Sequence, residues 1–204
     1  MSYRKDFEEN YVAVPAAEGD SRNRKKPKVK YLYCGPWYFW DLSEKERKKC
    51  GFCLTAAGFL NTVIYLAAGV QYADVNTSVL VFLPLAASCV ALLFEWVGIV
   101  QFCIQKEKMT AISWQSIMNY LKIAPFVQSV GMVLAVIFCV YYMVTQTFSM
   151  RSLAVTVGYG VCALLAAYVV WKIRSLPFHS EKNPLRRQIR EQQAAQEEEN
   201  QELL

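Results

Sequence analysis

The sequence predicts an all-α, polytopic membrane protein: four transmembrane helices with both termini on the cytoplasmic side. Three observations predict it. The 204 residues are 54% hydrophobic yet 19% charged, and the apolar ones fall into four blocks almost free of charge, between heavily charged segments. A bilayer core rejects charge that water and headgroups accept, so this segregation is the pattern of spans rather than of a water-soluble core. Each block is about 20 residues or more, which at about 1.5 Å per residue crosses a hydrocarbon layer of about 30 Å. The third observation is the placement of the cations, taken up below.

Residues 1–49 are a hydrophilic arm carrying twelve of the 22 Lys and Arg. No apolar stretch suited to a secretory signal occurs before Cys50, so the first span is expected to serve as both targeting signal and anchor. Lipid anchoring is not expected, since the chain shows neither a Met-Gly start nor a CaaX pattern. The basic run containing Arg22, Arg24, Lys25, Lys26, Lys28 and Lys30 has two readings, a solvated orientation determinant or a contact for anionic lipid. Nucleic acid is not an expected partner, because no recognition fold accompanies these charges. Tyr31 to Trp40 holds six aromatics in ten residues. Rings with a polar edge favour the headgroup layer, which places this segment on the inner leaflet. Ser43 and Glu46 have capping-box spacing, so a helix is expected to begin near Glu44 and run into the first span.

The membrane domain covers 50–173, with spans at about 51–70, 79–104, 123–145 and 152–173. Pro84 and Pro125 are compatible with spans, because neighbouring helices re-satisfy backbone groups near a proline. Between spans two and three, Trp114, Ile117, Met118 and Leu121 recur at helical spacing, which predicts a short interfacial helix over 111–121. A polar tail, 174–204, follows the last span. It is interrupted by Pro177 and Pro184 and has no continuous apolar stripe. The arm, the middle connection and the tail hold every Lys and Arg except Arg151 and Lys172, the latter at the tail end of span four. The positive-inside rule therefore puts these three segments in the cytoplasm and leaves two short outer connections, too small for a folded ectodomain.

Small residues at four-residue spacing mark faces where membrane helices approach closely. Span four shows Ala154, Gly158, Cys162 and Ala166; span three shows Gly131 and Ala135. Span two shows Ser88, Ala91, Glu95 and Gly98, which sets a carboxyl on a packing face. Glu95 lies nine residues and Asn61 ten residues from the inner ends of their spans, so both sit roughly 14–15 Å deep. Adjacent spans would bring the Asn61 amide to the Glu95 carboxyl, with Gln128 shallower on the same side. Apart from Lys172 at the very end of span four, no Lys, Arg or His lies within a span to neutralise Glu95, so the carboxyl is expected to be protonated or to meet water. An intramembrane carboxyl is a functional-site hypothesis, set against a purely structural interhelical hydrogen bond.

Other chemistry is weak. Cys50 and Cys53 form a C-x-x-C at the start of span one, without a thioredoxin-like setting. A zinc site would have to recruit Cys34 and Cys103 as well. His179 is the only histidine, and one histidine with scattered partners builds neither a triad nor a metal centre. No phosphate-binding or hydrolase motif occurs. An enzyme, a metal and a cofactor are therefore not expected. Asn76-Thr-Ser78 fits a glycosylation acceptor and Glu199 to Leu204 an acidic dileucine signal; both are short patterns that arise by chance.

Phe39-Trp-Asp-Leu-Ser-Glu-Lys-Glu46 before span one, Leu83-Pro84 within span two and Lys106-Glu-Lys-Met-Thr110 after it resemble a family of small four-span proteins of Gram-positive anaerobic bacteria. The resemblance covers residues 37–175. It implies a plasma-membrane location and carries no assigned activity or functional residue.

Two functional readings follow. In the first the chain is a non-catalytic accessory subunit or homo-oligomer, whose partners are the lipid bilayer and another membrane protein or a second copy. In the second it is a small transporter or channel using Glu95, Asn61 and Gln128.

Overall fold

The computed structural model describes residue 7 and residues 10–15, 29–105, 108–146, 148–185 and 187–188. Arg22, Arg24, Lys25, Lys26 and Lys28 lie outside the described residues, as does most of the tail beyond Leu185. Along the chain come strands β1 (Tyr11–Pro15), β2 (Val29–Tyr33) and β3 (Trp37–Trp40), helix α1 (Glu44–Val70), a 3-10 turn (Asp74–Thr77), helices α2 (Val79–Ile104), α3 (Ala111–Thr145) and α4 (Met150–Arg174), and strand β4 (Phe178–Glu181). All four α-helices are long and apolar enough to cross a membrane. The chain is a multi-pass integral membrane protein.

Two compact units divide it. The first gathers three separated segments, Met1–Trp40, Lys106–Trp114 and Phe178–Leu204; the second holds Asp41–Gln105 and Gln115–Pro177. The arm and the tail are thus parts of one unit, which also takes in the middle connection.

Within the first unit, the aromatic segment forms strands, as its ring-rich composition allows. β1 and β2 pair antiparallel, with Tyr11 opposite Tyr33. β3 pairs antiparallel with β4, with Trp37 opposite Glu181 and Trp40 opposite Phe178. Tyr38 also exchanges both backbone hydrogen bonds with Met109, each 3.0 Å long. Trp114 lies among these strands, its ring stacked on Tyr38 and 4.6 Å between centroids from both Trp40 and Phe178. The Tyr33 hydroxyl donates to the Pro36 carbonyl and accepts from the Ala111 N–H at 2.7 Å. Burial pushes this phenol up from its ordinary value. The Asn183 amide donates to the Tyr33 carbonyl at 2.9 Å, which ties the third segment to the first.

In the second unit, α1 begins where the capping box predicts: the Ser43 hydroxyl accepts from the Glu46 N–H, and the Glu46 carboxylate accepts from the Ser43 N–H. The Ser43 hydroxyl donating to the Glu46 carboxylate at 2.7 Å, with the Ser43 N–H beside it, holds that carboxyl below the usual carboxylate range. α3 departs from expectation. It runs unbroken for 35 residues through Pro125, joining the expected interfacial helix to the third span. A proline removes one hydrogen bond, and packed neighbouring helices make that tolerable. Ile117, Met118 and Leu121 are buried in protein rather than laid on lipid.

The helices approach through small residues. A Cβ on Gly98 would lie 2.8 Å from the Tyr120 Cβ and 2.9 Å from Leu121 Cγ, and one on Gly131 would overlap the Ser88 hydroxyl. Gly158 faces Ala68. Ser88, Ala91, Ala135, Cys162 and Ala166 are buried as well, whereas Ala154 is exposed. That end of the expected stripe on α4 therefore faces outward, because a straight row at spacing four drifts around a helix of 3.6 residues per turn. Overpacking at such contacts costs about 1–3 kcal/mol, so Gly98→Val should lower the melting temperature of the detergent-solubilised protein. Gly160→Ala is the control and should leave it unchanged, since nothing lies within 4 Å of a Cβ there. Equal melting for the two variants would remove the close α2–α3 approach as a source of stability.

Candidate functional site

Asn61 on α1, Glu95 on α2 and Gln128 on α3 are 1%, 0% and 0% exposed. Each is carried by a different membrane helix. Their levels are set by the contacts beside them. Trp96 Nε1 donates to Thr62 Oγ1 at 2.9 Å, so Asn61 and Glu95, each next in sequence to one of these partners, lie at similar levels. A Cβ on Gly58, nearly one turn from Asn61, would lie 3.9 Å from Glu95 Oε1, which points the carboxyl at α1. Gly131 abuts Ser88, and Gln128, three residues back along α3, is thereby placed between the levels of Ser88 and Glu95. α4 closes the other side of α1: Cys162 Sγ donates to the Asn61 carbonyl at 3.7 Å. It also meets α3, where Ser129 donates to the Ala163 carbonyl at 3.1 Å.

Among the described residues, no side-chain polar atom of Asn61, Glu95 or Gln128 has a hydrogen-bond partner, nor do the hydroxyls of Ser88 and Ser152. The expected bond between the Asn61 amide and the Glu95 carboxyl is not formed. An unsatisfied buried polar group costs about 1–3 kcal/mol, more when charged. Five such residues within the four helices are unusual, since buried polar groups in folded proteins are as a rule hydrogen-bonded.

The two ends of the bundle differ. Toward the end that holds Gly51, Cys103 and Ile173, the buried side chains are Leu54, Ile99, Phe102, Ile117, Leu121 and Ile173, each at most 1% exposed. Toward the 3-10 turn, polar groups are interleaved with an apolar core of Val75, Val81, Leu85, Met132 and Val155. There the Tyr65 hydroxyl donates to the Leu85 carbonyl at 3.0 Å, and Tyr159 donates to Asn76 Oδ1 at 2.8 Å. Asn76 Nδ2 in turn donates to the Ala68 and Gln71 carbonyls, both at 3.0 Å, capping the end of α1. Its amide nitrogen is thus engaged, which argues against its use as a glycosylation acceptor. Ser152 and Thr156 are buried on the same half of α4.

Sequence reasoning named Glu95, Asn61 and Gln128 but took Ser88 only for a packing residue. Its position seven before Glu95, two turns along one face, was the available signal. Tyr65, Tyr159 and Asn76 carried no signal for these contacts, because Tyr65 bonds a residue of the next helix and Asn76 joins the end of α1 to α4, far apart in the chain.

Among the described residues, no three His, Cys, Asp or Glu are placed to hold a metal ion. Cys103 Sγ lies beside Gly51 in the second unit, while Cys34 belongs to the first. The His179 ring stacks on Phe39, with Nε2 3.7 Å from a Glu181 carboxylate oxygen. An apolar groove of about 320 Å³ lies between α2 and α3, lined by Ala87, Val90, Phe94, Ile123 and Val127. No family model matches the chain, and no curated protein or solved structure is similar to it.

Proposed function

We propose that this membrane protein is a small transporter or channel for a cation or proton, with Glu95 as the charge-carrying group and Asn61 and Gln128 beside it. The observation that carries the reading is the fully buried, unpartnered polar set at mid-membrane. A structural role would have them bond one another, and they do not. Intramembrane carboxyls mark ion and proton pathways. The small-residue faces that favoured an interaction protein are largely taken up within the bundle, by Gly98 against α3, Gly131 against α2 and Gly158 against α1. No enzymatic role is part of this reading.

The positive-inside rule makes the Asn76 end the outer one and places both termini in the cytoplasm of a cell whose plasma membrane holds the protein. Hydrogen-bonded polar groups then sit within a packed apolar core in the outer half, and apolar side chains fill the inner half. The experiment is cation and proton uptake into proteoliposomes against protein-free vesicles; equal uptake of all ions tested would sink the reading. For the topology, a maleimide reagent applied from outside to a cysteine-free background should label Gln146→Cys and spare Lys45→Cys. Both positions are exposed; the reverse pattern would invert the orientation.

A second reading, an accessory subunit for another membrane protein, draws on the first unit. Three separated segments converge into a folded body around Trp114, which is more than an orientation signal requires.

A further inference from the structure

The side chains of Glu95 and Asn61 make no hydrogen bond among the described residues, yet the residues that follow each of them in the chain are bonded to one another. Trp96 Nε1 donates to Thr62 Oγ1 at 2.9 Å, and Thr62 Oγ1 donates to the Gly58 carbonyl at 2.8 Å. A single hydroxyl therefore accepts from α2 and donates within α1. Trp96 lies eight residues from the Ile104 end of α2, roughly 12 Å along the helix. Inside the hydrocarbon layer no water offers an indole N–H another partner, which favours keeping this bond.

The same turn of α1 meets the carboxyl. A Cβ on Gly58 would lie 2.8 Å from Ile99 Cδ1, 3.8 Å from Trp96 Cζ2 and 3.9 Å from Glu95 Oε1. Three side chains of α2 thus crowd one glycine of α1, and the carbonyl of that glycine accepts the Thr62 hydroxyl. Glu95 is 0% exposed and has no hydrogen bond to orient it. Its carboxyl is held by packing alone, and on the α1 side that packing depends on how closely Gly58 approaches. A functional group is held only as well as the side chains around it are held.

We propose that Trp96 and Thr62 are positioning residues for Glu95. Their hydrogen bond fixes α1 against α2 at this level and so seats the carboxyl beside Gly58. The seating follows from these contacts; its consequence for ion flux rests on the transport reading above.

The test reads the carboxyl itself. An apolar carbodiimide is applied to the full chain in detergent, and its rate of addition to Glu95 is followed by mass spectrometry. Trp96→Phe removes the N–H donor and keeps an aromatic ring; Thr62→Val removes the hydroxyl and keeps the branched shape. Each should raise the rate about fivefold, the scale of one lost hydrogen bond. The double variant should match the single ones, because either change breaks the same bond. Thr62→Ser keeps the hydroxyl and should react as the wild type does. Tyr65→Phe is the control: it removes another bond between α1 and α2, to the Leu85 carbonyl, and should leave the rate unchanged. Should Trp96→Phe fail to fold, Thr62→Val against Thr62→Ser carries the test. Rates equal to wild type in Trp96→Phe and Thr62→Val would overturn the positioning role, as would effects that multiply in the double variant. An equal rise in Tyr65→Phe would overturn it too, by showing general loosening of the helix pair. In proteoliposomes the two variants should also lower ion uptake, with Thr62→Ser restoring it. A wild type that carries no ion removes the transport reading, and the carbodiimide rates still decide the seating of Glu95.

Discussion

Glu95→Gln is expected to reduce cation uptake in proteoliposomes to that of protein-free vesicles while the protein stays folded. Glutamine keeps the size and most of the shape of glutamate, and volume-conserving core changes cost little. What it removes is the charge, at a position fully buried between helices with no cation in reach. Glu95→Leu sharpens the test. Replacing an unpartnered buried polar group by an apolar one of similar size is neutral or stabilising, so this variant should melt no lower than the wild type and also lose uptake. A protein that gains or keeps stability while losing function carries its carboxyl for function. If instead uptake is unchanged in both variants, Glu95 leaves the mechanism. If both unfold, it is a structural residue.

Trp114→Ala should destabilise the first unit by about 3–5 kcal/mol, the usual cost of truncating a buried tryptophan. The ring contacts Tyr38, Trp40 and Phe178, which come from two chain segments that no local sequence joins. Since whole domains are stable by only about 5–15 kcal/mol, the loss should open the unit to protease at Tyr31 to Trp40 and at Phe178 to Glu181. Far-ultraviolet circular dichroism should still show the helices, because α1 to α4 are held by contacts of the second unit. Trp114→Phe should restore most of the resistance. Protease patterns identical to wild type in Trp114→Ala would show that the aromatic cluster is not what holds the three segments together.

The four membrane helices were legible in the sequence because the bilayer imposes its demand locally. A segment either holds about 20 residues without charge or it does not, and no other part of the chain alters that. The start of α1 was equally legible, since Ser43 and Glu46 make their capping bonds within four residues. The burial of Glu95 was readable from its place on a row of small residues, and its height beside Asn61 from counting along two helices. The strands were not readable. β3 finds its partner β4 nearly 140 residues further on, and nothing in Trp37 to Trp40 names Phe178 to Glu181. An aromatic-rich segment suits an interfacial belt and a β-strand equally well.

The end of the interfacial helix was misplaced for a related reason. Lys122 and Pro125 suggest a boundary, but whether a helix bends or continues there depends on what packs against it, and Gly98 of α2 receives Tyr120 and Leu121 directly. The sequence by itself thus determined the number of spans and the presence of a carboxyl inside one of them, because those follow from hydration of individual groups. Only the tertiary structure decided that Glu95, Asn61, Gln128 and Ser88 are all buried without bonding one another, and that three distant segments close around Trp114. Those outcomes depend on pairings between residues far apart in the chain, and the free energy of a pairing belongs to neither partner alone.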